Sequence, residues 1–209
     1  MQLIDNLEWR YATKHFDPGK KVSETQLKQI KKAIQLSASS YGLQLYKALI
    51  IEDISTREKL KPASWDQQQI TEASHLIVFC NYTNLQRKHI DNFLALKSET
   101  QQLPLSELKG YGDFMEGKIN EKSDEELKHW TAKQTYLALG NLLAACAELK
   151  IDACPMEGFE ADKYDNILGL SQKGLTASVI AAIGYRSEED QTQYHRKVRK
   201  PTEQLFETI

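Results

Sequence analysis

An uninterrupted apolar segment, HLIVFCN at residues 75–81, is the feature that most restricts how this chain can fold. A strand with one face in water alternates apolar and polar residues, whereas this segment has apolar side chains on both faces. It therefore predicts an inner strand of a sheet that other elements cover on both sides. Two further strands are predicted at 46–52 (YKALIIE) and 175–185 (LTASVIAAIGY).

Helical patterns fill most of the chain around these strands. Two capping boxes mark helix starts: Ser23 with Gln26 opens a helix to about residue 36, and Ser123 with Glu126 opens a long helix to about residue 149. Three glycines in the region 110–117 suggest a mobile flap. Other helices are predicted at 3–9, 55–60 (capped by Ser55), 84–118 (broken near residues 103–104) and 162–168.

The order of elements predicts the fold class. Strands separated by helical stretches indicate an α+β or three-layer α/β domain, with helices covering a mixed sheet. The chain has 209 residues and no linker or internal repeat, so we expect one domain over residues 1–209.

Composition and charge exclude several classes of function. The net charge is -2 and no basic face recurs through the interior, so a nucleic-acid partner is not expected. No apolar run approaches the roughly 20 residues needed to span a bilayer. The first nine residues mix polar and apolar side chains, unlike a signal peptide. We therefore expect a cytoplasmic protein without a membrane anchor.

Common catalytic and metal-binding patterns are missing. The three cysteines and five histidines show no ligand spacing, so no metal site is expected. There is no dinucleotide-binding G-x-G-x-x-G after a strand, no P-loop, no G-x-S-x-G and no H-E-x-x-H. A Cys/His nucleophilic pair has no local signature either. The pattern favours a bound cofactor that carries out the chemistry.

Two basic clusters lie at opposite ends of the chain, RYATK at 10–14 and KVRK at 197–200. If folding brings them together, they form a pocket suited to one anionic group such as a phosphate. The alternative is an ordinary solvated surface at each end, and the position of the two clusters in the fold decides between these interpretations.

Six segments in this order resemble one known family. They are RYATKHFD at 10–17, SASSYGLQ at 37–44, ASH at 73–75, KQTYLALGN at 133–141, PMEGF at 155–159 and KVRKP at 197–201. Together they resemble the FMN-dependent nitroreductases, especially the oxygen-insensitive branch that includes NAD(P)H:flavin and dihydropteridine reductases. The resemblance runs almost from end to end. It implies an α+β fold of three layers (α/β/α) with a mixed, mainly antiparallel sheet, a long central helix, and a C-terminal extension that reaches a partner subunit.

The resemblance also implies roles for individual residues. Arg10, Lys197 and Arg199 match positions that hold the FMN phosphate, and Lys14 matches a residue beside the pyrimidine edge of the flavin. Ser39, Ser40 and Gly42 match the loop that a partner subunit lays against FMN. Backbone N–H groups of Glu157 and Gly158 match those that face flavin N5. The remaining cofactor-binding residues implied are Tyr11, Ala12, Asp66, Gln69, Pro155 and Met156, and the substrate-facing ones are Tyr111, Phe114 and Met115.

Some of these positions depart from the family pattern. Tyr11 and Ala12 stand where the family often has hydroxyl or imidazole side chains, which favours backbone contacts to the cofactor instead. Gln69 replaces a lysine, and the lost charge is expected to lower the flavin potential.

The function implied is that of an FMN-containing NAD(P)H oxidoreductase. It would act as a homodimer with FMN at the subunit interface and reduce small aromatic acceptors, nitroaromatics and quinones, by ping-pong hydride transfer from NADH or NADPH. No residue is expected to act as a nucleophile. The alternatives are a dedicated flavin or dihydropteridine reductase, a weakly catalytic flavin-binding protein, and a cofactor-free interaction domain.

Overall fold

The computed structural model describes residues 1–209 and contains a four-stranded sheet. The strands are β1 (Tyr46–Ile51), β2 (His75–Tyr82), β3 (Asp152–Met156) and β4 (Leu175–Gly184), in the spatial order β1-β2-β4-β3. All neighbouring strands pair antiparallel, and one isolated parallel bridge joins Ala12 to Ala153. The three strands predicted from the sequence are confirmed, and the apolar segment at 75–81 is an inner strand as expected.

Strand β3 was not among the strands predicted from the sequence. Its five residues include Pro155. A proline cannot donate a ladder hydrogen bond and is tolerated at the edge of a sheet, which is where β3 lies.

Alternate side chains of β2 enter two separate cores. Leu76, Val78 and Cys80 belong to one core, and Ile77 and Phe79 belong to the other. All five are completely buried, as expected for a strand covered on both faces. The helices on the first side are α3 (Ile54–Leu60), α4 (Gln69–Glu72) and α8 (Ala161–Leu168), and those on the second are α2 (Glu24–Gln35) and α7 (Asp124–Glu148). The α+β, three-layer prediction is confirmed.

The remaining helices are α1 (Gln2–Trp9), α5 (Arg87–Gln101), α6 (Leu105–Asn120) and α9 (Thr202–Leu205). Both predicted capping boxes are present, and the predicted break falls between α5 and α6. The cap predicted at Ser55 is wrong: Asp53 caps α3 by accepting from the Thr56 N–H at 2.8 Å. No helix combines the length and apolar character required to cross a membrane.

Helices α5 and α6 pack on each other around a third core. Gly112 on α6 is part of this contact, because a Cβ added there would lie 2.6 Å from Leu94 Cδ1. The glycine region that the sequence analysis interpreted as a possible flap is continuous helix.

The two ends of the chain meet near edge strand β3. The Ala12–Ala153 bridge lays the segment after α1 along β3, and an antiparallel bridge joins Phe16 to Arg186 just after β4. The first basic cluster and the C-terminal segment are therefore neighbours, although they are far apart in the sequence.

Candidate functional site

A cleft of about 390 Å³ opens between the end of α1, β3 and the C-terminal segment. Its volume lies within the usual range of small-molecule sites. Four of its twelve lining residues are Lys or Arg, and Glu8 is the only carboxylate. Six residues implied as cofactor-binding by the resemblance line it together: Arg10, Tyr11, Ala12, Pro155, Lys197 and Arg199.

The cations of this cleft repel one another. Burial and then the charge of Arg199 lower the pKa of Arg10. Burial, then Arg10 and Arg199, lower the pKa of Lys197, and Glu8 offsets this only in part. In addition, the buried Nε of Arg10 has no hydrogen-bond partner. Both the repulsion and the unpaired donor are relieved when an anion enters, so this cleft fits a phosphate dianion.

Lys197 connects the C-terminal segment to the end of α1. Its Nζ donates hydrogen bonds to the carbonyl oxygens of Leu7 and Arg10. A cation at this end of a helix interacts favourably with the unpaired carbonyls. An ammonium group has three donors, so one remains for a ligand in the cleft.

Arg186 supports the residues on either side of Arg10. Its guanidinium lies 4.5 Å from the ring centroid of Trp9 and 4.6 Å from that of Tyr11. Its Nε donates to Asp152 Oδ1 at 2.8 Å, and its backbone N–H donates to the other carboxylate oxygen. Asp152 is only 4% exposed and Arg186 is 23% exposed, so this ion pair is largely buried, and it holds the guanidinium against the two aromatic rings that flank Arg10 in the chain. No local pattern in the sequence pointed to Arg186.

Asp190, also missed from the sequence, links the two chain ends. It is fully buried and accepts hydrogen bonds from the Tyr11 hydroxyl and from the backbone N–H groups of Lys14, His15 and Thr192. Burial alone raises the pKa of this carboxyl, but the hydrogen bonds outweigh burial and leave the pKa below its ordinary value. The only hint in the sequence is an aspartate two residues before a threonine, as in many turns.

The loop that contains Ser39, Ser40 and Gly42 lies against helix α7. The buried amide of Gln134 accepts from the Ser40 N–H at 2.8 Å and donates to the Ser40 hydroxyl at 3.1 Å. Gly42 has φ of 77°, a left-handed conformation that glycine adopts without strain. These three residues do not line the cleft beside β3.

Glu157 and Gly158 follow β3 directly and make no backbone N–H hydrogen bond within the chain. Gln67 Nε2 donates to the Gly158 carbonyl at 2.8 Å. Trp65 covers Gly158 closely, since an added Cβ would lie 2.8 Å from the indole Cζ3. The segment therefore presents two free backbone N–H donors, and contacts with Gln67 and Trp65 hold its backbone in place.

Trp65 and its neighbour Asp66 both have positive φ, 54° and 56°. Such conformations are costly for residues other than glycine and cluster at functional sites. Trp65 is 66% exposed, and Asp66 is also exposed. The side chain of Glu157 is tied separately, by a hydrogen bond from the hydroxyl of Tyr136 on α7.

Lys14 and Gln69 lie around the buried thiol of Cys154 in β3. Burial raises the pKa of this thiol. Lys14, a contact from Gln69 and Arg10 each lower the pKa, but by less than burial raises it. The thiol is therefore protonated and structural rather than reactive. Lys14 is exposed, whereas Gln69 is 5% exposed, and Met156, implied as cofactor-binding, is equally buried in the core. No group of three or more His, Cys, Asp or Glu side chains is placed to hold a metal ion.

The three residues implied as substrate-facing all lie on α6 but differ in exposure. Tyr111 and Phe114 are exposed, and Phe114 meets Tyr41 of the serine-containing loop edge-on, with ring centroids 6.2 Å apart. The assignment of Met115 is corrected: its side chain is completely buried in the α5–α6 core and reaches no surface.

Comparisons with known proteins agree with this description. The model of the Nitroreductase family matches residues 7–185. A protein of Staphylococcus haemolyticus, provisionally named an NAD(P)H nitroreductase, is 36% identical over 216 residues, which cover 99% of this chain and 97% of that protein. The crystal structure of the provisionally named nitroreductase ydfN of Bacillus subtilis has a TM-score of 0.89 at 18% identity and covers 100% and 99% of the two chains. Another, from Exiguobacterium sibiricum in complex with FMN, has a TM-score of 0.84 at 19% identity, covering 99% and 97%.

Proposed function

Because the chain belongs to the nitroreductase family, we propose that it is an FMN-dependent NAD(P)H oxidoreductase that reduces nitroaromatics and quinones by a ping-pong mechanism. One observation carries this proposal: Arg10, Lys197 and Arg199 converge in a single cleft whose charges are compensated only in part and whose Arg10 Nε lacks a partner. Such a cleft favours an anion, and the family's cofactor carries a phosphate.

The residues of the cleft would hold FMN by its phosphate. Arg10 offers its free Nε–H, Lys197 its third ammonium donor, and Arg199 a guanidinium that lies on the same cleft. Guanidinium groups bind phosphate oxygens through paired hydrogen bonds. When bound, FMN supplies the ability to accept a hydride from a nicotinamide and to return it, which no side chain provides.

Residues near Cys154 would set the reduction potential of the bound flavin. Lys14 places a positive charge near Cys154, where it would favour the electrons added to the flavin and raise the flavin's reduction potential. Gln69 is neutral at a position where the nitroreductase family often has lysine. The missing charge would lower the reduction potential of the flavin. Lys14 is thus the single cation that we assign to the ring.

Glu157 and Gly158 would direct a backbone N–H toward flavin N5. Backbone donors suit that position because they are fixed by the fold and do not titrate. The hydrogen bond from Gln67 to the Gly158 carbonyl and the packing of Trp65 against Gly158 hold this peptide in place.

A Gly158→Ala substitution tests this support. The new Cβ would lie 2.8 Å from Trp65 Cζ3 and 3.1 Å from Gln67 Nε2, so the peptide or the indole must move. Overpacking of this kind costs about 1–3 kcal/mol. We expect the rate of flavin reduction by NAD(P)H, measured by stopped-flow absorbance, to fall by roughly tenfold or more, which corresponds to about 1.4 kcal/mol.

Two further variants, a control and a rescue, show whether the loss of rate comes from the contact at Gly158. Gly117→Ala is the matched control, since nothing lies within 4 Å of its added Cβ, and it should leave the rate unchanged. Adding Trp65→Ala to Gly158→Ala removes the closer of the two contacts, the one with the indole, and should recover part of the rate. An unaltered rate in Gly158→Ala itself would show that this peptide does not face the reacting atoms.

The acceptor site would be an open aromatic surface. Tyr111 and Phe114 are exposed on α6, and Trp65 is exposed beside Gly158. Aromatic side chains stack on planar acceptors with little demand on their substituents. Nitroaromatics and quinones both meet this requirement, and no side-chain nucleophile is involved.

A homodimer would complete the site with the loop of Ser39, Ser40 and Gly42 from the partner subunit. Several large apolar side chains are exposed on α1, on α7 and in the C-terminal segment, which is typical of an interface. They include Leu3, Ile4, Leu7, Tyr136, Leu137, Val198, Leu205 and Phe206. The three cysteines are unpaired, which suits a reducing compartment, and we place the protein in the cytoplasm.

Steady-state kinetics test the function. Initial rates of NADPH or NADH oxidation, measured at several menadione or nitrofuran concentrations, should give parallel double-reciprocal lines because the two substrates use one site in turn. Intersecting lines would contradict the ping-pong mechanism. Activity with free flavins or dihydropteridines alone would favour a dedicated reductase, and flavin binding without activity would indicate a storage or regulatory protein.

A further inference from the structure

We propose that Asp190 is a positioning residue that holds the two halves of the phosphate cleft together. This inference rests on the proposed function, since it assigns the cleft to the FMN phosphate. Arg10 belongs to one half and Lys197 to the other, and they come from opposite ends of the chain. Contacts within the chain must hold these two halves next to each other before the ligand binds.

The geometry places Asp190 at the joint between these halves. Its Oδ2 accepts from Tyr11 Oη at 3.0 Å, from Lys14 N at 2.8 Å and from His15 N at 3.3 Å. Its Oδ1 accepts from Thr192 N at 3.0 Å and so caps the short 3₁₀ turn Gln191–Tyr194. Tyr11 directly follows Arg10, and the capped turn leads into the segment that carries Lys197. One carboxylate therefore fixes the backbone on both sides of the cleft.

Asp190 performs this task without neutralising the cleft. All four of its hydrogen bonds go to a phenol and to backbone N–H groups, and none goes to a lysine or arginine side chain. A carboxylate paired with Arg10 or Lys197 would compete with the incoming phosphate. Because this one is fully buried and saturated with donors, it organises the cations and leaves their charge available.

An asparagine at this position would have nearly the same shape but could not reproduce these bonds. Every partner of Asp190 is a donor, whereas an amide offers one acceptor oxygen and one NH₂ group. If the amide oxygen faces Tyr11, Lys14 and His15, the NH₂ group opposes the Thr192 N–H. If the amide is flipped, three donors are left unpaired. Asp190→Asn thus weakens the connection between the two halves of the cleft with almost no change in side-chain volume.

The test compares FMN with riboflavin, which lacks the phosphate. Dissociation constants are measured by fluorescence titration for wild-type protein, Asp190→Asn and the control Glu189→Gln, which removes the same charge from the adjacent, exposed residue. We expect Asp190→Asn to weaken FMN binding by about tenfold or more, the equivalent of one lost hydrogen bond to a charged group. Riboflavin binding should weaken clearly less than FMN binding, because riboflavin lacks the phosphate and can be affected only through Lys14, and Glu189→Gln should match wild type.

Hydrogen exchange in the cofactor-free protein provides a readout that does not depend on FMN. We expect faster exchange of the Lys14, His15 and Thr192 amides in Asp190→Asn and unchanged exchange in the β2 and β4 strands. Equal weakening of FMN and riboflavin, or unchanged exchange at these three amides, would overturn the positioning role. Failure of wild-type protein to bind FMN would instead overturn the proposed function, while the exchange result would still decide whether Asp190 joins the two segments.

Discussion

Replacing Lys197 and Arg199 together by alanine should raise the dissociation constant for FMN by at least about a hundredfold. In the proposed site each substitution would remove a hydrogen bond from a cation to the phosphate, and such bonds contribute about 1.5–3 kcal/mol each. Since about 1.4 kcal/mol corresponds to a factor of ten, two of them account for a hundredfold change or more. Fluorescence titration of the cofactor-free protein measures this directly.

Two controls separate loss of phosphate contacts from general damage. Riboflavin lacks the phosphate, so its affinity should be nearly equal in wild type and variant. The pair Lys31→Ala with Lys200→Ala removes the same charge from exposed residues outside the cleft and should leave FMN affinity unchanged. Because Lys197 also bonds the end of α1, thermal unfolding of each variant is compared with wild type. A double variant that purifies with tightly held FMN would show that the C-terminal segment does not bind the phosphate.

Arg186→Met should reduce the free energy of unfolding by about 3–5 kcal/mol, the usual cost of removing one partner of a buried ion pair. The substitution leaves Asp152, 4% exposed, with a single hydrogen bond from the backbone. It also removes the cation between the Trp9 and Tyr11 rings, so FMN affinity should fall together with stability. Urea unfolding followed by circular dichroism measures the first effect, and FMN titration measures the second.

A double-mutant cycle identifies the cause of that loss. Asp152→Asn combined with Arg186→Met removes the unpaired carboxylate and should recover a large part of the stability. Lys163→Met, which breaks the exposed pair with Glu160, is the surface control and should change stability by less than about 1 kcal/mol. Equal stability of Arg186→Met and wild type would show that the ion pair does not hold this end of the sheet.

The sheet and its covered faces could be predicted because they depend on local patterns. The period-two alternation of β2 places its residues in two cores, and the two capping boxes mark the starts of α2 and α7. Strand β3 gave no such signal, since it is short, lies at an edge and contains Pro155.

Residues of the site were predictable only in part. The resemblance pointed to Arg10, Lys197 and Arg199, which the fold does bring into one cleft. The resemblance implied that both Met115 and its neighbour Phe114 face the substrate, but adjacent helical residues point about 100° apart. Its spacing from Leu108, Gly112 and Ile119 places it on the buried side of α6, and that periodicity was present in the sequence.

Asp190 and Arg186 could not be found from the sequence because their roles depend on pairing between opposite ends of the chain. Asp190 contacts residues about 175 positions away, and Arg186 reaches back to Trp9 and Tyr11. Such contacts follow from the register between the N-terminal segment and β3, which no local pattern specifies.

An anaerobic titration tests the central claim most directly. Protein loaded with FMN is mixed with NADH or NADPH under argon, and the flavin absorbance is followed. We expect at least one nicotinamide to bleach the bound flavin within minutes, and menadione or a nitrofuran to restore the absorbance afterwards. Flavin absorbance that persists with both nicotinamides would contradict the assignment of this protein as an NAD(P)H oxidoreductase.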